Sequence, residues 1–97
     1  MRYIFTLTLG RNHPEGEVSD TQLQAFLGLV SQRLEGFTVT HSIGYWKREQ
    51  ERSFSISVAG DSMLENSIRE ISSLYKSLYK QESTMLEIRE SGNVSFL

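Results

Sequence analysis

The sequence predicts an α+β sandwich, in which a four-stranded antiparallel sheet carries two helices on one face. Three observations predict it: four segments alternate polar with apolar residues, two segments repeat apolar residues at helical spacing, and the order is β-α-β-β-α-β. With right-handed crossovers and a hairpin between the second and third strands, this order suits a ferredoxin-like arrangement. The 97 residues allow a single domain over 1–97.

Period-two alternation places the four strands at residues 2–9, 37–45, 53–58 and 84–89, and a short terminal extension at 94–97. The first strand turns Tyr3, Phe5, Leu7 and Leu9 to one face, and the third alternates apolar residues with serines 53, 55 and 57. Residues 10–17 are expected to form a loop because they contain glycine and proline, and residues 47–52 a charged turn.

Both helices follow a predicted capping box, in which a serine is paired with the residue three positions later. Ser19 and Gln22 begin a helix over 20–34, and Ser62 and Glu65 begin one over 62–80. The second helix carries an apolar stripe that leaves Tyr79 free to point outward; the stripe consists of Leu64, Ile68, Ile71, Tyr75 and Leu78.

Composition excludes several classes of function. Ten basic against twelve acidic residues give a net charge of −2, which argues against nucleic acid as a partner. No apolar run approaches the roughly 20 residues of a membrane span, and the N-terminus alternates, unlike a signal peptide. The chain has no cysteine, and therefore no disulfide or zinc–thiolate site. A cytoplasmic location is the simplest expectation.

Apolar residues are expected on both faces of the sheet, because Ile4 lies opposite the Phe5 face and Met85 alternates with Leu86. A thin core with apolar side chains on both sheet faces predicts a homo-oligomer. His13 and His41 stand about 28 positions apart without a third ligand at a suitable spacing, so no metal site is expected. The sequence contains no G-x-S-x-G motif and no P-loop, which argues against serine hydrolysis and P-loop nucleotide binding.

Two segments could carry chemistry. Tyr45 and Trp46 end the second strand and could form an aromatic platform for a purine or a cation, or simply belong to the core or an interface. Glu49 and Glu51 follow them, and each is either a functional carboxylate or a solvent-exposed charge of the turn. Glu82 lies where a carboxylate disfavours the negative end of the second helix, which hints at a functional role as much as at simple exposure.

The sequence resembles an uncharacterised bacterial domain family across most of its length. Members of that family carry a serine–aspartate helix start, a G-x-T-V strand, a G-x-W, an E-x-S and a closing Y…Q-E-S-V. The similar segments here are Ser19-Asp20, Gly36-Phe37-Thr38-Val39, Gly44-Tyr45-Trp46, Glu51-Arg52-Ser53 and Tyr75…Gln81-Glu82-Ser83-Thr84.

The sequence also resembles the phage-encoded S-adenosylmethionine lyases. Gly44-Tyr45-Trp46-Lys47-Arg48-Glu49, Glu51 and Gln81-Glu82 match their glycine–aromatic–basic–glutamate stretch, their acidic pair and their glutamine–acid pair. This resemblance implies a cytoplasmic homotrimer, encoded by a phage and acting in its host. Such an enzyme would split S-adenosylmethionine into methylthioadenosine and homoserine lactone in sites between subunits, without a cofactor or a metal.

The lyase resemblance implies roles for seven residues. Either Glu49 or Glu51 would face the substrate; the catalytic set is Glu49, Glu82 and Tyr45, and the substrate-binding set is Trp46, Glu51, Gln81 and Tyr79. The alternative hypothesis is a non-catalytic oligomer that binds a nucleotide-like ligand or a protein, such as an inhibitor of a host enzyme.

Overall fold

The computed structural model describes residues 2–92, 95 and 97, apart from the side chain of Trp46. Its elements are β1 (Arg2–Gly10), β2 (Asn12–His13), β3 (Gly16–Glu17), α1 (Asp20–Ser31), β4 (Thr38–Trp46), β5 (Glu49–Gly60), α2 (Leu64–Tyr79) and β6 (Met85–Ser91). The large sheet has the order β4-β5-β1-β6, and each neighbouring pair is antiparallel. The predicted ferredoxin-like fold is confirmed. The extension predicted at 94–97 includes residues 94 and 96, which lie outside the described residues.

The alternation in β1 and β5 decides where the core lies. Phe5, Leu7 and Leu9 of β1, with Phe54 and Ile56 of β5, are buried between the sheet and the two helices. We call this face of the sheet the helix side and the opposite one the open side. The helices complete the core with Leu23, Phe26 and Val30 from α1 and Ile68, Ile71, Tyr75 and Tyr79 from α2.

The open side is mainly a surface of hydroxyl groups, and it also carries the two apolar residues predicted there, Ile4 and Met85. Thr8 faces Ser55 across the strands, and their hydroxyl oxygens lie 2.9 Å apart. Ser42 and Ser53 form a second such pair at 2.8 Å. Val39, Ile43 and Tyr45 of β4 face the helix side, because its threonines, Thr38 and Thr40, take the open side. Ile4, Ala59 and Met85 are the apolar side chains that the described strands place among these hydroxyls.

The first helix begins as predicted and ends three residues early. Ser19 Oγ accepts a hydrogen bond from the Gln22 backbone N–H at 3.1 Å, and Gln22 Oε1 accepts one from the Ser19 N–H at 2.9 Å. This reciprocal pair is the capping box. Leu34 is buried as expected, although it lies beyond the last helical residue, Ser31. Its side chain therefore reaches the core from the turn rather than from the helix.

The second helix begins at Leu64, and the predicted capping box of Ser62 and Glu65 does not form. Instead, Asp61 Oδ1 accepts the Met63 backbone N–H at 2.9 Å, and the Glu65 N–H donates to the backbone oxygen of Ser62 at 3.2 Å. An aspartate two residues before a free N–H competes effectively with a serine cap. The start of this helix is therefore an aspartate turn.

Tyr79, and not Leu78, ends the buried stripe of α2, so the expectation that Tyr79 points outward is wrong. The next position after Tyr75 on the same helix face is four residues on, whereas Leu78 turns to the other side and is 47% exposed. The Tyr79 hydroxyl donates to the Gln22 backbone oxygen at 3.2 Å, and the Tyr75 hydroxyl donates to the Gly10 oxygen at 2.6 Å. Burial raises the pKa of both phenols.

The predicted charged turn over 47–52 is in fact a two-residue turn. Lys47 and Arg48 both adopt left-handed backbone angles, with φ of 49° and 68°, and Trp46 pairs with Glu49 across the hairpin. Two consecutive left-handed residues match the twist of a tight hairpin. Residues 49–52 consequently belong to β5.

The predicted loop over 10–17 also contains regular structure. Gly10 completes β1, and β2 and β3 form a small antiparallel ladder in which Asn12 pairs with Glu17 and His13 with Gly16. Within the described residues, neither helix is long and apolar enough to cross a membrane.

We predict that Lys80→Gly is more stable than Lys80→Ala by about 1 kcal/mol, measured by urea unfolding. Lys80 caps α2 with a left-handed φ of 52°, which costs a residue with a Cβ about this much. Both variants lose the ion pair to Glu15, so their difference isolates the backbone term. Equal stabilities would show that Lys80 carries no such strain.

Candidate functional site

A buried arginine lies at the end of β1. The alternation of this strand carries on past its last residue, so that Arg11 follows Leu9 on the helix side, and it is only 2% exposed. Its Nε and Nη2 donate to the Val18 backbone oxygen at 3.0 and 2.7 Å, and Nη2 also donates to Asp20 Oδ1 at 2.8 Å. These bonds use three of the five N–H groups of the guanidinium, pair its charge with Asp20 and fix the segment that leads into α1.

A second arginine extends this arrangement to the surface. Arg52 Nη1 lies 3.0 Å from Glu17 Oε1, and its Nη2 lies 3.8 Å from Asp20 Oδ1. Arg11 Nε lies 3.9 Å from the same Glu17 oxygen. The four side chains, Arg11, Glu17, Asp20 and Arg52, form an arginine–carboxylate cluster with alternating charges. The hydrogen bond and the positive charge of Arg11 hold the pKa of Asp20 below its ordinary value.

A groove of about 510 Å³ opens beside this cluster. It lies on the β4–β5 hairpin, and we call it the hairpin groove; its lining is Arg11, Asn12, Glu17, His41, Ser42, Ile43, Gln50, Arg52 and Ser53. Arg52 and Glu17 expose 53% and 42% of their side chains. The groove therefore offers a small molecule a positive group and a negative group side by side.

The hairpin separates the sequence-predicted residues onto opposite sides of the sheet. Tyr45 pairs with Gln50 on the helix side, two residues beyond Ile43, and is 74% exposed. Glu49 and Glu51 take the open side, because they alternate with Gln50 and Arg52. The side chain of Trp46, the other half of the predicted aromatic platform, lies outside the described part of the structure.

Two predicted site residues that are 30 positions apart, Glu51 and Gln81, both form hydrogen bonds with the backbone of Asn12. Glu51 Oε2 accepts the Asn12 backbone N–H at 3.3 Å, and Gln81 Nε2 donates to the Asn12 backbone oxygen. Gly10 makes room for this arrangement, since a Cβ there would lie 2.7 Å from Glu51 Oε2. Glu82 is exposed just beyond Gln81. The predicted substrate-binding residue Tyr79 is instead packed in the core, with its hydroxyl on α1.

Sequence reasoning missed the groove residues Glu17, Gln50 and Arg52 and the buried Arg11. Two signals could have found them. Extending the β1 alternation by one step places Arg11 beneath the helices, and extending β5 back through the charged segment places Gln50 and Arg52 on the Phe54 face. Arg11 was missed because glycine and proline predict a loop over residues 10–17, and Gln50 and Arg52 were missed because the charged segment 47–52 was predicted to be a turn.

We predict that Asp20 stabilises the fold near neutral pH and that this contribution disappears in acid. Because the folded state holds the pKa of Asp20 below its ordinary value of 3.8, the stabilisation is present above that value and is lost as the pH falls through the lower, folded-state pKa. Urea unfolding at several pH values should show Asp20→Asn less stable than the parent at neutral pH and equal to it in strong acid. Glu70→Gln, at an exposed position of α2, is the control. A pH-independent difference would contradict the ion pair.

Two solved structures are similar to this chain, and the first of them supports the fold alone. A protein described as the de novo designed protein Foldit4 is similar with a TM-score of 0.55 and 15% identity, over 97% of this chain and 100% of its own. The divalent ion tolerance protein CutA1 from Ehrlichia chaffeensis gives a TM-score of 0.49 and 11% identity, over 98% of this chain and 87% of its own. The sequence has no significant match among the curated proteins.

The family comparison is more specific. Residues 5–96 match the family described as "Protein of unknown function (DUF3574)". The match supports the resemblance to an uncharacterised domain family. The description of that family names no activity, so the match does not support the lyase resemblance. Because it spans nearly the whole sequence, the chain belongs to the DUF3574 family.

Proposed function

We propose that the protein binds the amino-acid end of a small zwitterionic metabolite in the hairpin groove. The observation that carries this proposal is the pair of opposite charges in one groove: Arg52 and Glu17 both line it, and both remain partly exposed. A free amino acid, or a metabolite that ends in one, carries a carboxylate and an ammonium close together. The groove offers the complement of each.

Arg52 is suited to the carboxylate. A guanidinium has five N–H donors, so Arg52 can keep its contacts to Glu17 and Asp20 and still donate to a ligand. Arginine–carboxylate pairs are commonly bidentate, which fixes orientation as well as contributing energy. Glu17 can then accept hydrogen bonds from the ligand's ammonium.

The buried Arg11 makes this arrangement rigid. It lies within 3.9 Å of Glu17 and is held by two hydrogen bonds to the Val18 backbone oxygen. A ligand therefore meets a carboxylate that is already positioned, and binding loses less conformational entropy.

The rest of the groove can receive the remainder of the ligand. His41 and Gln50 supply polar contacts, and Ile43 supplies an apolar one. A volume of about 510 Å³ is within the range of small-metabolite sites.

We predict that S-adenosylhomocysteine, which ends in an amino acid, binds the protein and that Arg52→Gln weakens binding at least tenfold, measured by isothermal titration calorimetry. The variant removes the positive charge that would hold the carboxylate. Arg69→Gln is the matched control, because Arg69 is an exposed arginine of α2 paired with Glu65. Methylthioadenosine, which lacks the amino-acid end, should bind more weakly than S-adenosylhomocysteine.

Two results would contradict the proposal. One is equal binding of both compounds, which would mean that the amino-acid end is not recognised. The other is unchanged affinity in Arg52→Gln, which would remove the hairpin groove from binding.

S-adenosylmethionine lyase activity is the second candidate, and a separate observation favours it. Glu51 and Gln81 lie on either side of Asn12, which brings two of the residues implied by the lyase resemblance to one end of the sheet. Glu49 lies on the same side of the hairpin as Glu51, and Glu82 follows Gln81. This candidate function includes the homotrimer and the cytoplasmic location that the lyase resemblance implies.

The reaction requires little from the protein. A carboxylate oxygen of the substrate attacks the carbon beside its sulfonium, the new C–O bond closes homoserine lactone, and the C–S bond breaks with its electron pair leaving on sulfur as neutral methylthioadenosine. Positioning in a site that excludes water is the main requirement. Glu49 or Glu51 would orient the ammonium and ribose hydroxyls. Tyr45 lies on the opposite side of the hairpin, so within one chain it cannot contact the same substrate as these carboxylates.

If the protein is a lyase, we predict that it releases methylthioadenosine from S-adenosylmethionine. Chromatography of the reaction mixture measures this product. Glu82→Gln and one of the two variants Glu49→Gln and Glu51→Gln should each lower turnover at least tenfold, about 1.4 kcal/mol. Affinity for methylthioadenosine should change less, because the product lacks the ammonium and the positive sulfur. Glu70→Gln is again the control. Absence of methylthioadenosine would exclude the lyase and leave binding in the groove unaffected.

A further inference from the structure

The outer edge of β4 is an unprotected edge strand. Within the described residues, β4 pairs only with β5, so the N–H and C=O groups on its other side have no strand partner. Its nine residues, TVTHSIGYW, include no lysine, arginine, aspartate, glutamate or proline. Proteins normally block a free edge with such residues, because an open edge invites pairing with another chain.

The opposite edge of the same sheet shows the contrast. β6 is also paired on one side only, but three of its seven residues, Glu87, Arg89 and Glu90, are charged and exposed. One edge of the sheet is therefore protected in the usual way and the other is not. The difference singles out β4 as an interaction surface.

Exposed apolar side chains lie along β4 as well. Ile43 is 56% exposed and Tyr45 74% exposed, both on the helix side beyond the cover of α1 and α2. Neither is needed for the core of a single chain. A partner that extends the sheet would cover them.

We propose that the occupant of this edge is a second copy of the chain, with β4 paired antiparallel to β4 about a two-fold axis through Ser42. An antiparallel edge is complementary to itself under a two-fold axis perpendicular to the sheet. Pairing all nine residues of β4 requires Ser42 to face Ser42 of the second copy, since residue 42 is the centre of 38–46. The two sheets then join into one eight-stranded sheet.

This register also pairs the side chains well. Residues facing each other across the two-fold axis have numbers that add to 84, so Ile43 faces His41 of the second copy and Tyr45 faces Val39 of the second copy. Aromatic and β-branched neighbours are favourable cross-strand pairs. The exposed apolar side chains become covered, and like charges do not meet, because β4 has no acidic or basic side chain apart from His41.

The pairing would bring the two hairpin grooves together, because His41, Ser42 and Ile43 line the groove and lie on this edge. The inference does not rest on the proposed function, since the edge, its composition and its exposed residues are independent of any ligand. It differs from the trimer implied by the lyase resemblance.

Light scattering at micromolar concentration tests the inference. We expect twice the chain mass of 11.1 kDa for the parent protein, and the mass of a single chain for Ile43→Lys, which places a charge on the exposed edge. Ile88→Lys is the matched control, because Ile88 is an exposed isoleucine on the charged edge strand β6, and it should remain a dimer. A parent protein that is a monomer or a trimer would overturn the inference, as would an Ile43→Lys variant that remains dimeric.

A crosslinking variant tests the register without depending on the folding of Ile43→Lys. The chain contains no cysteine, so Ser42→Cys carries a single thiol. Residues opposite each other on a two-fold axis have Cβ atoms close enough for a disulfide. We expect rapid formation of a covalent dimer on mild oxidation, and none for Glu87→Cys in the middle of β6. Equal crosslinking of the two variants, or none in Ser42→Cys, would contradict the proposed pairing.

Discussion

The burial of one guanidinium constrains the hairpin groove and the segment that leads into α1. Arg11 comes at the end of β1, where the alternation of the strand directs it beneath the helices, and a buried cation must be paired or fully hydrogen-bonded. Its bonds to the Val18 oxygen and to Asp20 meet that requirement and at the same time fix the path of the chain into α1. Glu17 and Arg52 then take their positions from Arg11 and Asp20, so the charges of the hairpin groove rest on a buried anchor.

The second constraint is the tight turn at Lys47 and Arg48. A two-residue hairpin leaves no freedom in the pairing of the strands it joins, and a shift of one residue would move every side chain to the other face. The turn therefore decides that Gln50 and Arg52 face the groove, whereas Glu49 and Glu51 face the open side. The two candidate functions correspond to these two faces of one hairpin.

The sequence predicts secondary structure correctly where the apolar period is long and uninterrupted. It is misleading where polar residues form strands or lie in the core. The element order, the buried faces of β1 and β5 and the capping box of α1 follow from spacing alone, because burial imposes that spacing. The hairpin strand over 49–52 was mistaken for a turn, since charged residues in a solvent-exposed strand leave no apolar period. Tyr79 and Arg11 were misplaced because a phenol and a guanidinium enter the core only when a backbone oxygen accepts their hydrogen bonds, and those partners are distant in sequence or lie in irregular segments. The convergence of Glu51 and Gln81 on Asn12 depends on tertiary contacts that no local pattern contains.

The central claim is that the helix side of the β4–β5 hairpin, and not its open side, receives the ligand. The side chains of alternating β5 residues point to opposite faces of the sheet, which makes side-chain chemical shifts a direct probe of each face. On titration with S-adenosylhomocysteine, the account predicts that the largest shifts occur at His41, Gln50 and Arg52, around the hairpin groove. Largest shifts at Glu49, Glu51 and Gln81 would contradict it and place the ligand on the opposite side of the sheet.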